Sequence, residues 1–353
     1  MANLKIAIPL SMGDGVPSAD KATWKDYASD QVVRWCPGCG DYAILKSVQR
    51  VLAEKGLRRS DIAFISGIGC SSRFPYYMDT YGFHTIHGRA PAFATGLRVA
   101  RPDLDVWVVT GDGDALSIGG NHLLHVLRRN VSLKILLFNN RIYGLTKGQY
   151  SPTSEIGKVT ASTPWGSVDK PLNPVSVAAG AEAAFIARTV DIYAKHLQQV
   201  LIAAHDFDGS SFIEIWQNCN IFNDKTFDDR TEKSVKDDRI LFLEHGQPMI
   251  FGKESDRGIK MDGATPTVVS LSNGAATSDL LVHDMHNPDP SLAFMLSRFD
   301  DRPDLPSPMG IFRSVARPTY EHGVALQMLD ADSTKGAGEL DSLLRAGDVW
   351  EVE

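Results

Sequence analysis

The chain predicts an α/β fold: a parallel sheet with helices on both faces, followed by a C-terminal extension. Two observations carry this. From about residue 35 to 225, short apolar runs alternate with segments of helical period, the pattern of a parallel sheet wrapped by helices. In addition, Gly69-Cys70, Gly111 to Asp114, Asn139-Asn140 and Cys219 each follow a run that reads as a strand. They therefore share the carboxyl edge of the sheet, where open α/β sheets bind ligands. The length of 353 residues, 43% hydrophobic and 22% charged, suits an ordinary globular chain of one large or two smaller domains.

The elements follow in order. Residues 1–30 form a polar leader with Asp14, Asp20 and Asp26 and no basic start followed by an apolar core, so no secretory signal is expected. Asp41 caps a helix running to about Lys55, with Ile44, Leu45, Val48 and Leu52 at helical spacing. A strand at 61–66 precedes a loop rich in Tyr, Pro and Gly, and a helix from Ala90 to Arg101 ends at Pro102. A strand at 105–110, a helix near 119–129 and a strand at 133–138 follow. A loop rich in Gly, Pro, Ser and Thr spans Gly144 to about Pro174. Helices are expected near 175–187 and 190–205, then a strand at 211–216. The expected division is a leader (1–30), a binding domain (31–230) and an extension (231–353). In the extension, Thr267–Leu271 and Leu292–Leu296 suggest ordered structure, and His245–Gly252 an extended segment with a turn.

Gly111-Asp-Gly-Asp114 sits where a strand turns into a helix, so its backbone N–H groups can face a phosphate with no Cβ in the way. Asp112 would repel a bare diphosphate, so a cation must stand between them. Mg²⁺ suits a carboxylate, an amide oxygen, a main-chain carbonyl and phosphate oxygens. Asn140 ends a second strand and would converge on the same metal. This is the pattern of thiamine-diphosphate enzymes. A similar triplet, Gly13-Asp14-Gly15, has neither strand nor Asn pair and reads as a turn. The dinucleotide fingerprint G-x-G-x-x-G is completed nowhere near these glycines.

Four cysteines remain: Cys36, Cys39, Cys70 and Cys219. No apolar run reaches the roughly 20 residues of a membrane span, and the cytoplasm is the expected compartment. A reducing compartment disfavours disulfides and favours metal binding or catalysis. Trp35-Cys-Pro-Gly-Cys-Gly40 turns both of its sulfurs the same way. Spacing alone does not separate a zinc site from an iron–sulfur cluster. Adjacency to a thiamine site does, because a metal there gains a role only by accepting electrons, which favours [4Fe–4S]. The net charge of −7 argues against a nucleic-acid surface.

Taken together, Trp35-Cys-Pro-Gly-Cys-Gly-Asp41, Ser66-Gly-Ile-Gly-Cys-Ser-Ser-Arg73, His84-Thr-Ile-His-Gly-Arg-Ala90, Gly111-Asp-Gly-Asp114 and Tyr143-Gly-Leu-Thr-Lys-Gly-Gln149 resemble the β subunits of 2-oxoacid:ferredoxin oxidoreductases, most closely the 2-oxoglutarate (KorB-like) type. The resemblance covers about residues 32–225. It implies a thiamine-diphosphate-binding fold, the pyrophosphate-binding module. Cys36, Cys39, Cys70 and Cys219 would ligate the cluster, and Asp112, Asn140 and the main-chain oxygen of Ile142 would hold Mg²⁺. Ile68, Gly69, Cys70, Ser71, His87, Gly113, Asp114, Gly144 and Leu145 would line thiamine diphosphate, with His87 favoured over His84. Relatives commonly carry Pro after the fourth Cys, where Asn220 stands here.

The implied reaction converts a 2-oxoacid and coenzyme A to acyl-CoA and CO₂, with electrons leaving through the cluster to ferredoxin, reversibly in principle. The activating Glu is expected on a separate α subunit, in an α₂β₂ assembly, so no catalytic acid or base is assigned here. Lys147 is a candidate partner for the distal carboxylate of 2-oxoglutarate. The competing functions are a broad-range or pyruvate-type oxidoreductase, a non-redox thiamine-diphosphate decarboxylase or synthase with structural zinc, an inactive scaffold and a pure electron carrier. Intact Asp112 and Asn140 speak against the last two. The extension is expected to contact the partner subunit.

Overall fold

The computed structural model describes residues 22–352; the Gly13-Asp14-Gly15 triplet and most of the leader lie outside them. Eight strands form the main sheet: β1 (Ile62–Ser66), β2 (Tyr81–His84), β3 (Asp105–Gly111), β4 (Leu133–Asn139), β5 (Phe185–Val190), β6 (Ser210–Trp216), β7 (Ile240–Leu243) and, late in the chain, β11 (Ser307–Ser314). Their order is β2-β1-β3-β4-β6-β5-β11-β7. The first six are mutually parallel, and β11 runs antiparallel to β5 and parallel to β7. Strands β8 (Ile250–Phe251), β9 (Arg257–Asp262) and β10 (Thr265–Ser270) make a separate antiparallel sheet.

Side chains on the central strands alternate between two cores, as the two-residue strand period requires. Val106, Val108, Ile135 and Leu137 pack into one, with Ala90 and Ala94 of α2 (Ala90–Ala100) and Leu123, Val126 and Leu127 of a later helix (Gly120–Arg129). Trp107, Val109, Leu136 and Phe138 pack into the other, with Ile44, Val48 and Leu52 of α1 (Asp41–Glu54) and Leu197 and Leu201 of the helix at Ala194–Asp206. The sheet is thus covered on both faces, and β4 is buried along its full length.

The helix expected over 175–187 stops early. A helix at Pro174–Gly180 is followed by Glu182 with φ 54°, and Phe185–Val190 is strand β5. All six β5 residues are buried, so no in–out alternation marks them as a strand. The next helix starts at Ala194 rather than 190. Strand β2, inside an expected loop, is the opposite case: an edge strand exposed at every position. Asp41 is the first helical residue rather than the cap, and Gly40 stands at the N-cap.

Two strands of the main sheet, β7 and β11, come from beyond residue 230. The ordered structure anticipated there exists, as β10 and as a helix at Ser291–Ser297. A long helix, Tyr320–Lys335, follows β11, and Glu321 anchors its start by accepting from Ser132 N–H at 3.2 Å and Arg98 at 3.1 Å. Beyond that anchor, Leu326, Met328, Leu329, Leu340, Leu343, Leu344 and Trp350 are exposed. No helix among the described residues is long and apolar enough to cross a membrane.

Candidate functional site

Strands β1, β3, β4 and β6 are consecutive neighbours in the sheet, and their carboxyl ends carry all four of the chemically distinctive sequences. Strand β3 passes directly into a short helix, α3 (Asp112–Leu116). Gly111 is in register with Phe138 of β4, so Asp112 and the Asn139-Asn140 pair emerge side by side. A Cβ on Gly113 would overlap the Tyr143 ring, whose hydroxyl donates to the Gly113 carbonyl at 3.1 Å.

Asp112 is buried, and its Oδ2 accepts from Ser151 Oγ at 2.6 Å and Thr153 Oγ1 at 2.5 Å. Burial pushes its carboxyl up to about 6 despite those two donors. A buried carboxylate held up in this way is the group that a divalent cation would keep ionised. Asn140 Oδ1 accepts from Ile142 N–H at 3.2 Å, and its Nδ2 donates to Gln217 Oε1 at 2.9 Å. The carboxylate, the amide oxygen and the adjoining turn at Ile142 are hard oxygen donors of the kind Mg²⁺ prefers.

Asp114 engages both oxygens within the protein. Oδ1 accepts from Gly88 N–H at 2.8 Å and Ile68 N–H at 3.2 Å and lies 3.0 Å from His87 Nδ1; Oδ2 accepts from Thr110 at 2.8 Å. It clamps the 67–69 and 87–88 loops together, and a Cβ on Gly67 would collide with it. Ile68, Gly69 and Leu145 line a cavity of about 540 Å³ together with Arg34, Arg73 and His84. His84, rather than His87, thus faces that cavity. Gly69 has φ 138°, a backbone that favours glycine.

The thiols gather beside this edge. Cys39 N–H donates to the Cys36 carbonyl at 3.1 Å, closing the Cys-Pro-Gly-Cys turn. A Cβ on Gly144 would stand 3.5 Å from both Cys70 Sγ and Cys219 Sγ, so this glycine packs against two sulfurs at once. Burial pushes the Cys70 thiol up to about 12, and Asp41, Cys219 and Cys36 add to the shift; Cys39 is raised by burial, then by Asp41. A metal centre bound here would have to draw these thiols into the thiolate form. Among the described residues no three His, Cys, Asp or Glu side chains close on a single ion position. Cluster cysteines each meet a different iron and stand further apart than ligands of one ion.

Residues 67–215 match the thiamine pyrophosphate enzyme C-terminal TPP-binding domain. The chain is 53% identical to the 2-oxoglutarate oxidoreductase subunit KorB of Mycobacterium tuberculosis over 98% of its own length and 92% of that protein's. The chain is a β subunit of the 2-oxoacid:ferredoxin oxidoreductase family. An Archaeoglobus fulgidus 2-oxoglutarate synthase subunit KorB is 39% identical over 56% of the chain and 75% of its own length. Among solved structures, the 2-oxoglutarate:ferredoxin oxidoreductase from Magnetococcus marinus with 2-oxoglutarate, coenzyme A and succinyl-CoA bound is similar, with a TM-score of 0.73. It is 33% identical and covers 93% of this chain and 96% of its own.

In this oxidoreductase subunit the expected residues fall into two groups at one edge, the oxygen donors around Asp112 and Asn140 and the sulfurs around Gly144. Lys147 lies in the same loop, exposed, with φ 77°. Sequence reasoning missed the groups that hold these donors in place. Ser151 and Thr153 lie in a loop so rich in hydroxyls that nothing distinguishes them. A buried chain runs from Asp112 through Thr153 to Asn139 Oδ1 (3.0 Å), from Asn139 Nδ2 to Glu214 (2.7 Å), and from Arg188 to Glu214 and Asp300 (2.7 Å each). A charged pair inside two strands that are buried throughout, Arg188 in β5 and Glu214 in β6, was the available signal.

Proposed function

We propose that this chain is the β subunit of a 2-oxoglutarate:ferredoxin oxidoreductase that holds thiamine diphosphate, Mg²⁺ and a [4Fe–4S] cluster. It works in the cytoplasm with an α subunit, as α₂β₂. The reaction is the oxidative decarboxylation of a 2-oxoacid to an acyl-CoA and CO₂, with electrons passing to ferredoxin. The observation that carries this reading is the adjacency of the two donor sets, with Gly144 against Cys70 and Cys219 in the loop that follows Asn140. Thiamine diphosphate supplies the carbanion chemistry, and the cluster supplies a one-electron acceptor.

The chain's own residues bind and orient. Asp112, Asn140 and the Ile142 carbonyl would hold Mg²⁺. Ile68 to Ser71, Gly113 and Leu145 would bound the cofactor, while Asp114 and His87 fix its loops. Cys36, Cys39, Cys70 and Cys219 would ligate the cluster. Lys147, exposed in the loop beside Leu145, suits the second carboxylate of 2-oxoglutarate. Arg34 and Arg73 outweigh Asp30 in the lining of the cavity beside Leu145 and favour anions there. The exposed apolar residues after Glu321 support a partner contact; a chain ending at Lys335 should lose affinity for the α subunit by at least tenfold in a pull-down titration, and full retention would contradict this role.

The test is turnover with the α subunit present. 2-Oxoglutarate should reduce a low-potential one-electron dye only when coenzyme A and both chains are supplied, and pyruvate should do so more slowly. Decarboxylation that proceeds without any electron acceptor would favour the non-redox decarboxylase.

A further inference from the structure

One side chain joins the two donor sets. Gln217, 1% exposed, directly follows β6, and its N–H donates to the Asn139 carbonyl at 2.9 Å. Its Oε1 accepts from Asn140 Nδ2 at 2.9 Å. Its Nε2 donates to Cys39 Sγ at 3.2 Å and to the Asn218 carbonyl at 2.6 Å.

The direction of this relay follows from polarity. Asn140 Oδ1 takes the Ile142 N–H and is the atom that would face a cation, so its Nδ2 points away and needs an acceptor. Gln217 Oε1 is that acceptor. The nitrogen end of Gln217 is therefore left facing the thiol. Flipping either amide would set N–H against N–H at one end or a carbonyl against sulfur lone pairs at the other.

We propose that Gln217 is a positioning residue that couples the cation site to the iron–sulfur site, holding Asn140 in its ligating orientation while its N–H bond to Cys39 raises the reduction potential of the cluster. The inference rests on the oxidoreductase reading. An N–H donor on a ligating sulfur stabilises the electron-rich reduced state. A cation on Asn140 Oδ1 polarises the amide chain and strengthens the donor at its far end. Coupling of this kind is reciprocal, so reduction, which makes the sulfur a better acceptor, tightens the cation's hold. The cluster is then most oxidising when the diphosphate site beside it is filled.

Redox titration followed by EPR, on the complex with the α subunit, tests this in wild type, Gln217→Glu and Gln217→Met. Glu keeps the acceptor for Asn140 and removes the donor to sulfur, whereas Met removes both. The Glu variant should bind Mg²⁺ and thiamine diphosphate as wild type does. Its oxidised-to-reduced ratio at a fixed poise should rise about tenfold, a potential about 59 mV more negative for one electron. The Met variant, which loses the N–H without adding a carboxylate charge, should shift the potential in the same direction and also bind Mg²⁺ roughly tenfold more weakly. An iron- and sulfide-replete Glu variant with the wild-type potential would overturn the proposal. Where neither variant keeps its cluster, the wild type decides: its potential should be less negative with Mg²⁺ and thiamine diphosphate than without, and equal values overturn the coupling. Wild-type protein without iron removes the oxidoreductase reading and this inference together, whereas replete variants of unchanged potential remove only the inference.

Discussion

Arg188→Met is the perturbation that most directly tests how the site is supported. Arg188 and Glu214 side chains are each 1% exposed and Asp300 is 12% exposed, so the guanidinium lies between two carboxylates in the sheet's interior. Among the described residues, removing it leaves Glu214 charged, buried and opposed by the neutral donors Asn139 and Trp216. Breaking a buried pair from one side costs about 3–5 kcal/mol. Asp300, nearer the surface, can recover some hydration, so most of the loss belongs to Glu214. Urea denaturation reads this: at slopes of about 1–3 kcal/mol per M, the midpoint should fall by roughly 1–5 M. Arg188→Met/Glu214→Gln removes the stranded charge and keeps an acceptor for Asn139, so it should be at least about 1 kcal/mol more stable than Arg188→Met alone. A single variant within about 1 kcal/mol of wild type, or a double variant less stable than the single, would refute the reasoning.

Three other outcomes follow from the same geometry. Thr153→Val removes a donor to Asp112 and a contact to Asn139, so Mg²⁺ affinity should drop by about 10–100-fold in a calorimetric titration. Lys147→Met should raise KM for 2-oxoglutarate about tenfold and leave that for pyruvate within about twofold, losing the pairing to a second carboxylate. His196 is held by burial at about 4, below its ordinary 6.5, with Nδ1 2.8 Å from Thr189 Oγ1. The unfolded chain therefore takes up a proton that the native chain refuses. Stability present above pH 6.5 should be lost as pH falls from 6.5 towards 4. His196→Gln should flatten that slope in urea midpoints measured across this range.

The legible part of the fold was the part with contrast. Strands β1, β3, β4 and β6 stand between recognisable helices, and the special residues at their ends fixed both the sheet's polarity and its binding edge. Strand β5 was read as helix because burial on both faces erases alternation, leaving a short segment that fits either state. Strand β2 failed for the converse reason, being exposed throughout. The extension contributes β11 and β7 to the main sheet because β5 would otherwise have an open edge, a requirement that only the assembled sheet reveals.

The site divides along the same line. Asp112, Asn140 and the four cysteines stand out as candidates because few residue types can do the chemistry expected of them. Ser151, Thr153, Gln217 and Glu214 do not. Each belongs to a common class, and its contact arises only when folding places it against a candidate ligand drawn from elsewhere in the chain. Asp114 shows the limit of a motif read alone. It shares the Gly-Asp-Gly-Asp segment with Asp112, yet it faces inward and clamps two loops.

The central claim is an electron acceptor in contact with a thiamine-diphosphate site. It is tested most directly by purifying the chain anaerobically with its α subunit and measuring iron, sulfide and the reduced-state EPR spectrum. About four irons and as many sulfides per β chain are expected, with a cluster signal that appears when 2-oxoglutarate is added. Zinc in place of iron, or a cluster that no 2-oxoacid reduces, would contradict it.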